Sequence, residues 1–251
     1  MDGRPGPTIV ACARLEHADG IVMGTAGARG LERAFFGSTA ASVLRATGHP
    51  TMVVHGPDDP VRVVATSFAR VFVACDDSEP ADAACDFAID LATQSGASLV
   101  FGTVLETGDL TDTSAMYGYD SEPLARDLRM AAIARLETLT RAAMARGVTA
   151  SRAIVENTVV RATSENDDTS LAVIAAANEH GANLIVIGSH GRRGIRRLLP
   201  GSVAERVVSR GTLPTVVIRS AASSSTVRQN SSTFGGDDVA VETTSMAANH
   251  W

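Results

Sequence analysis

Gly188, Gly191, Gly201 and Ser202 are spaced so that two residues, then nine, separate the glycines and the serine closes the set. Gly24, Gly27, Gly37 and Ser38 repeat that spacing. The offset is 188 − 24 = 164 positions, and it holds without a gap from Asp19–Val54 to Asn183–Ile218. Each copy reads as an apolar strand (Ile21–Met23; Leu184–Ile187), a glycine loop and a helix entered at the serine. That order gathers backbone N–H groups and a helix N-terminus around one point, the chemistry that holds a phosphate. Gly188 and Gly191 let a ligand approach the backbone or permit positive φ, and Ser202 with Glu205 makes a capping box. The same residues would serve a plain turn and helix cap. Their recurrence at unchanged spacing favours a shared function.

Other residue types at the same edge add to this chemistry. Asp76 ends a predicted strand, Val71–Cys75, and in a parallel sheet that end faces the edge where the glycine loop lies. A carboxylate there accepts from a ribose hydroxyl; its structural alternative is to cap the next helix, a task Ser78 could perform. Val104, ending the following strand, would wall a base or simply fill the core. Arg192, Arg193, Arg196 and Arg197 offer planar donor forks to phosphate oxygens, or pair with surplus acids in a solvated loop. The first copy keeps Arg29 and Arg33. His190 is read as a polar loop residue, since its counterpart is Ala26. The pattern G-x-x-x-x-G-K-[ST] is absent and no glycine-rich loop follows the first strand, so P-loop hydrolysis is not expected.

The elements that must position these residues follow from periodicity and punctuation. Thr8–Ala18 is predicted as a helix, Ile21–Gly24 as a strand, Ser38–Thr47 as a helix and Thr51–Val54 as a strand: a partial βαβ piece over residues 1–55. Residues 56–65, with Pro57 and Pro60, read as a linker. A complete unit spans residues 66–219. It comprises Val71–Cys75, a helix capped at Ser78 and ended by Gly96, Ser98–Leu105, and a polar loop over Gly108–Ser121 suited to a lid. A helix over Pro123–Arg146 with Leu124, Leu128, Ala131, Leu136, Leu139 and Ala143 as its apolar face follows, then a strand near Val148–Val155. Thr169–His180 is a helix, Leu184–Ile187 a strand, Ser202–Arg210 a helix and Thr215–Ile218 a strand. Strands alternating with long crossovers give a doubly wound α/β fold with a parallel sheet. Residues 220–251 are too poor in apolar side chains to offset ordering entropy and read as a disordered tail.

Composition bounds the partners. The chain has 251 residues, 45% of them apolar, enough for one or two packed domains. With 28 acidic against 22 basic residues the net charge is −6, which disfavours binding to nucleic acid or an anionic membrane. Cys12, Cys75 and Cys85 form no C-x-x-C pair, so they read as small buried residues in a reducing compartment, with no structural zinc. No apolar run reaches the roughly 20 residues of a membrane helix, and no signal-peptide core follows Met1. The expected location is the cytoplasm.

The residues Val73-Ala74-Cys75-Asp76-Asp77-Ser78, Leu184–Gly191 and Gly201-Ser202-Val203 closely resemble the universal stress protein family over about Thr66–Arg219. The resemblance implies a Rossmann-like, adenine nucleotide alpha hydrolase-like sheet of five parallel strands in the order 3-2-1-4-5. Residues 1–55 resemble the carboxyl half of a tandem domain whose front is missing. In the nucleotide-binding branch the resemblance implies an ATP site, with Mg2+ accompanying the phosphates. Asp76 would meet ribose or adenine, Ala74 and Val104 would border the base, and Ile187 and Gly188 would lie over the adenosine. Gly191, Gly201, Ser202 and Val203 would hold the phosphates. It further implies pairing through fifth strands, as a homodimer or, since Thr51–Val54 is placed to meet Thr215–Ile218, as a pseudo-dimer within one chain. The leading expectation is an ATP-binding stress-response protein that acts by binding and is not an enzyme. Two other readings stand beside it: a nucleotide-free interaction module, and an adenylate-forming or pyrophosphatase-type enzyme of related fold.

Overall fold

The computed structural model describes residues 4–24, 37–55, 68–106, 120–157, 169–189 and 203–219. Its elements are α1 (Pro5–Leu15), β1 (Ile21–Gly24), α2 (Ser38–Ala46), β2 (Thr51–Val54), β3 (Arg70–Ala74), α3 (Glu79–Ser95), β4 (Ser98–Glu106), α4 (Glu122–Ala145), β5 (Ala150–Asn157), α5 (Thr169–Glu179), β6 (Leu184–Gly188), α6 (Val203–Arg210) and β7 (Thr215–Ile218). The predicted linker over 56–65, the tail over 220–251 and, except for Asp120 and Ser121, the predicted lid over 108–121 lie outside the described residues.

Seven strands form one sheet in the order β1-β2-β7-β6-β3-β4-β5. Within the complete unit that is 3-2-1-4-5, as expected. The partial copy does not stand apart from it: β2 joins the edge of β7. Neighbouring strands run parallel throughout except at β2 and β7, which pair antiparallel. Period-two alternation sends Val71, Val73 and Cys75 to one face, against Ala84, Cys85 and Ala88 of α3 and Leu136 of α4. Phe72, Ile185, Ile187 and Val217 go to the other face, against Val173 and Ala177 of α5 and Val207 and Val208 of α6. Helices on both faces explain why β6 is apolar at every position and wholly buried.

The repeat reaches further back than the sequence match. Pro5–Leu15 and Thr169–Glu179 are the same eleven positions under the 164-residue offset, and both are helices. α1 starts three residues before its predicted boundary because proline is tolerated in a first turn, where its missing N–H has no intrahelical partner.

The seam between the halves has pseudo-two-fold symmetry. Thr51 pairs with Val217 and Val53 with Thr215, pairs that interchange under the offset, while Met52–Val216 lies on the axis. His55 and Arg219 occupy equivalent positions and make similar contacts, to carbonyls one residue apart in the repeat's register. His55 Nε2 donates to Val208 O at 2.8 Å, and Arg219 Nη1 donates to Arg45 O. Each donor thereby satisfies a carbonyl in the last turn of the opposite half's helix. Beneath them Leu44 and Val53 share a core with Val207, Val208 and Val217. At about 1.5–3 kcal/mol for each fully buried aliphatic side chain, this seam binds the partial copy firmly.

One predicted face is corrected. On α4, Ala125, Leu136 and Ala143 are buried whereas Leu124, Leu128 and Ala131 are exposed. The buried stripe, with half-buried Ala132 and Leu139 between, keeps helical spacing but lies one position round from the leucines at the helix start.

Candidate functional site

The chain leaves β3 for β4 on one side and returns after β5 to β6 on the other. β3 is therefore flanked by strands whose connections diverge, the switch point at which open α/β sheets bind ligands. In register, Ala74 lies between Gly102 of β4 and Ile187 of β6. These residues, with Val104, form an apolar floor at the carboxyl ends of three strands. The cleft above it opens to solvent; Asp76, Ser78, Gly188, Val203 and Thr169 also line it. Six of the nine predicted site residues thus come together: Ala74, Asp76, Val104, Ile187, Gly188 and Val203. Gly191, Gly201 and Ser202 lie outside the described residues, as do His190 and the four loop arginines.

Asp76 does more locally than its prediction assumed. Its Oδ1 accepts from Ser78 N at 3.0 Å and from Ser78 Oγ. Ser78 Oγ in turn accepts from Ala81 N at 3.4 Å, capping α3. The acid braces the cap and the serine makes it, so the two candidate roles are divided between the residues. The negative group also sits at the N-terminus of a 17-residue helix, where the dipole stabilises it.

Gly188 is required by packing as well as by any ligand. A Cβ there would lie 2.8 Å from both Ala81 N and Pro80 C, backbone atoms that cannot swing away. The close approach of β6 to the first turn of α3 keeps the cleft narrow at this end. Glu205 accepts from Arg45 Nε of α2 at 3.1 Å, an ion pair across the seam. The Ser202 half of its predicted capping box falls outside the described residues.

Sequence reasoning missed Gly102, Thr169 and Cys75 as cleft residues. Gly102 had a readable signal, a glycine inside an apolar strand, which marks close approach: a Cβ there would collide with the Phe72 ring. Its carbonyl accepts from Cys75 N at 2.7 Å, tying β3 to β4 at the cleft floor. Thr169 Oγ1 donates to Glu106 Oε1 at 2.7 Å, a contact between residues far apart in sequence that only the fold brings together. Among the described residues, no group of three or more His, Cys, Asp or Glu could hold a metal ion, and no helix is long and apolar enough to cross a membrane.

Comparison with known proteins agrees with this architecture. The model of the universal stress protein family matches residues 1–55 and 67–219. A universal stress protein of Mycolicibacterium smegmatis is 28% identical over 205 residues, covering 81% of this chain and 63% of the relative. One from Mycobacterium tuberculosis is 28% identical over 215 residues, 86% of this chain and 66% of its own length. The chain therefore spans just under two thirds of these relatives. The crystal structure of a universal stress protein from Archaeoglobus fulgidus superposes with a TM-score of 0.60 at 25% identity, covering 86% of this chain and 67% of that one.

Proposed function

We propose that this chain, which belongs to the universal stress protein family, binds an adenine nucleotide, ATP, in the cleft between β3 and β6. The observation that carries the reading is the row Gly102–Ala74–Ile187 with Asp76 at its rim. It offers a flat apolar floor for a base and an acceptor for ribose hydroxyls, at the switch point of the sheet. Val203 opens α6 at the other end of the cleft, so the helix N-terminus suits the phosphates and the Mg2+ they carry. The residues fit the nucleotide by kind: small or aliphatic where the base lies, anionic where the sugar donates, and helix-terminal where charge collects.

The protein acts by binding and not by turnover. Nucleotide held between the first turns of α3 and α6 bears on α6, which packs on the seam, so occupancy is coupled to the partial copy. Within one chain that copy takes the place that a second subunit would hold on β7. Three unbridged cysteines suit the cytoplasm.

Titration with a fluorescent ATP analogue, displaced by ATP, tests this. Asp76→Asn keeps an acceptor for Ser78 while removing the charge, and should weaken binding about 10-fold, the loss of one charge-assisted hydrogen bond. Val104→Trp should fill the base side of the cleft and abolish binding, with an unchanged urea midpoint as the control for folding. No saturable binding by the unmutated chain would leave the nucleotide-free interaction module as the reading.

A further inference from the structure

Two thiols lie side by side beneath the cleft. Cys75, just past the end of β3, and Cys85, in the second turn of α3, are both buried, with their Sγ atoms 3.6 Å apart. Neither is bridged. Cys75 is also one of the residues lining the cleft, between Ala74 and Asp76, while both cysteine side chains pack in the one core on the α3 side of the sheet. Oxidant that reaches either sulfur therefore finds the second in contact with it.

We propose that Cys75 and Cys85 form an oxidative modification site, converted by a hydroperoxide to an intrachain disulfide. Cys75 sulfur attacks the peroxide O–O bond, an S–O bond forms, and the departing oxygen takes the thiol proton and leaves as water or alcohol. Cys85 sulfur then attacks the sulfenic sulfur: the S–S bond forms, the S–O bond breaks, and hydroxide leaves with the Cys85 proton as water. Two thiols lose two electrons and two protons, and the peroxide is reduced. Burial pushes the Cys75 thiol up, aided by its contact with Cys85, while the nearby Arg135 guanidinium pulls it down. The raised pKa lowers the thiolate fraction and so slows attack on the peroxide. Closing the sulfurs from 3.6 Å to the roughly 2.05 Å of a disulfide draws the end of β3 toward α3. The Asp76–Ser78 brace lies inside the loop so closed.

The experiment treats the intact chain with hydrogen peroxide, alkylates it after denaturation, and digests it before aspartates. Asp76, Asp77 and Asp82 lie between the two cysteines, so the product expected is the Cys75 and Cys85 peptides joined, and separated again by dithiothreitol. In Cys85→Ala a 1,3-diketone should trap sulfenic acid on Cys75. The proposal is overturned if both cysteines are recovered as alkylated thiols under peroxide that oxidises Cys12. Over-oxidised Cys75 without joined peptides, or joining only to Cys12 or to another chain, overturns it equally. Any change in nucleotide affinity on oxidation rests on the reading of the cleft given above; the peptide mapping does not, so the two fail separately.

Discussion

One strand–glycine motif occurs twice in this chain, and its two settings differ in almost everything but sequence. β6 lies in the middle of the sheet between β3 and β7, with α3 over one face; Val186 is wholly buried and Gly188 touches the first turn of α3. β1 lies at the sheet edge, and Val22, the counterpart of Val186, is 70% exposed. The lesson is that the motif does not make a site by itself. The cleft needs β3 to supply the floor and Asp76, and α3 to close the wall; among the described residues the β1 copy has neither beside it. What the first copy retains is the seam, where α2 buries Ala40, Ala41, Val43 and Leu44 and β2 buries Thr51 and Val53.

Substitution at paired positions sharpens this contrast. The largest effect is expected for Val186→Asp, which buries an unpaired charge in a closed core and should cost more than about 4 kcal/mol in urea unfolding, whereas Val22→Asp should change stability by less than about 0.5 kcal/mol. Equal costs would mean that β1 is as enclosed as β6. Next, Gly188→Val drives a branched side chain into the backbone of α3 and should cost about 2–3 kcal/mol, with Gly24→Val, at an exposed position of β1, near neutral by the same measurement. Smaller is the seam ion pair. Arg45→Ala deprives Glu205 of its guanidinium partner, and since the glutamate side chain is only 10% exposed, a loss of about 1–2 kcal/mol is expected. A neutral result would show that this ion pair adds nothing to the seam.

The smallest effect concerns acid. Arg129 hydrogen-bonds Glu156 at 2.7 Å and holds its carboxyl below the usual glutamate range. A folded-state value below the unfolded one contributes stability above the unfolded value, lost as pH falls through the folded one. Both groups are exposed, so this contribution is slight. Titration followed by carboxyl carbon shifts should show Glu156 protonating later than its exposed neighbours as pH falls, and an ordinary midpoint would contradict the pairing.

The elements were legible where short apolar runs met strong punctuation. β1 and β2 keep their predicted bounds because Gly20 and Pro50 delimit them, and the five-strand order followed from resemblance. The α4 face was misjudged because the eye follows leucines: Leu124 and Leu128 are outside, while the smaller Ala125 and Ala132 turn toward the sheet. Which stripe is covered depends on where β4 and β5 lie, and no local pattern carries that. Among the cleft residues, Ala74 and Ile187 came from the family resemblance, whereas Asp76 and Gly188 were readable since strand ends and glycines mark the ligand edge. Thr169 was not, because its place is set by α5 crossing to that edge. The Cys75–Cys85 proximity was hidden as well, since ten residues and a change from strand to helix separate the two sulfurs.

The unequal copies make one central claim, that nucleotide binds once per chain, at Gly188 and not at Gly24. Native mass spectrometry of the purified chain with ATP tests it most directly. The account predicts a single added nucleotide, lost in Val104→Trp and retained in Val22→Asp. Two nucleotides per chain, or one that persists in Val104→Trp, would contradict it.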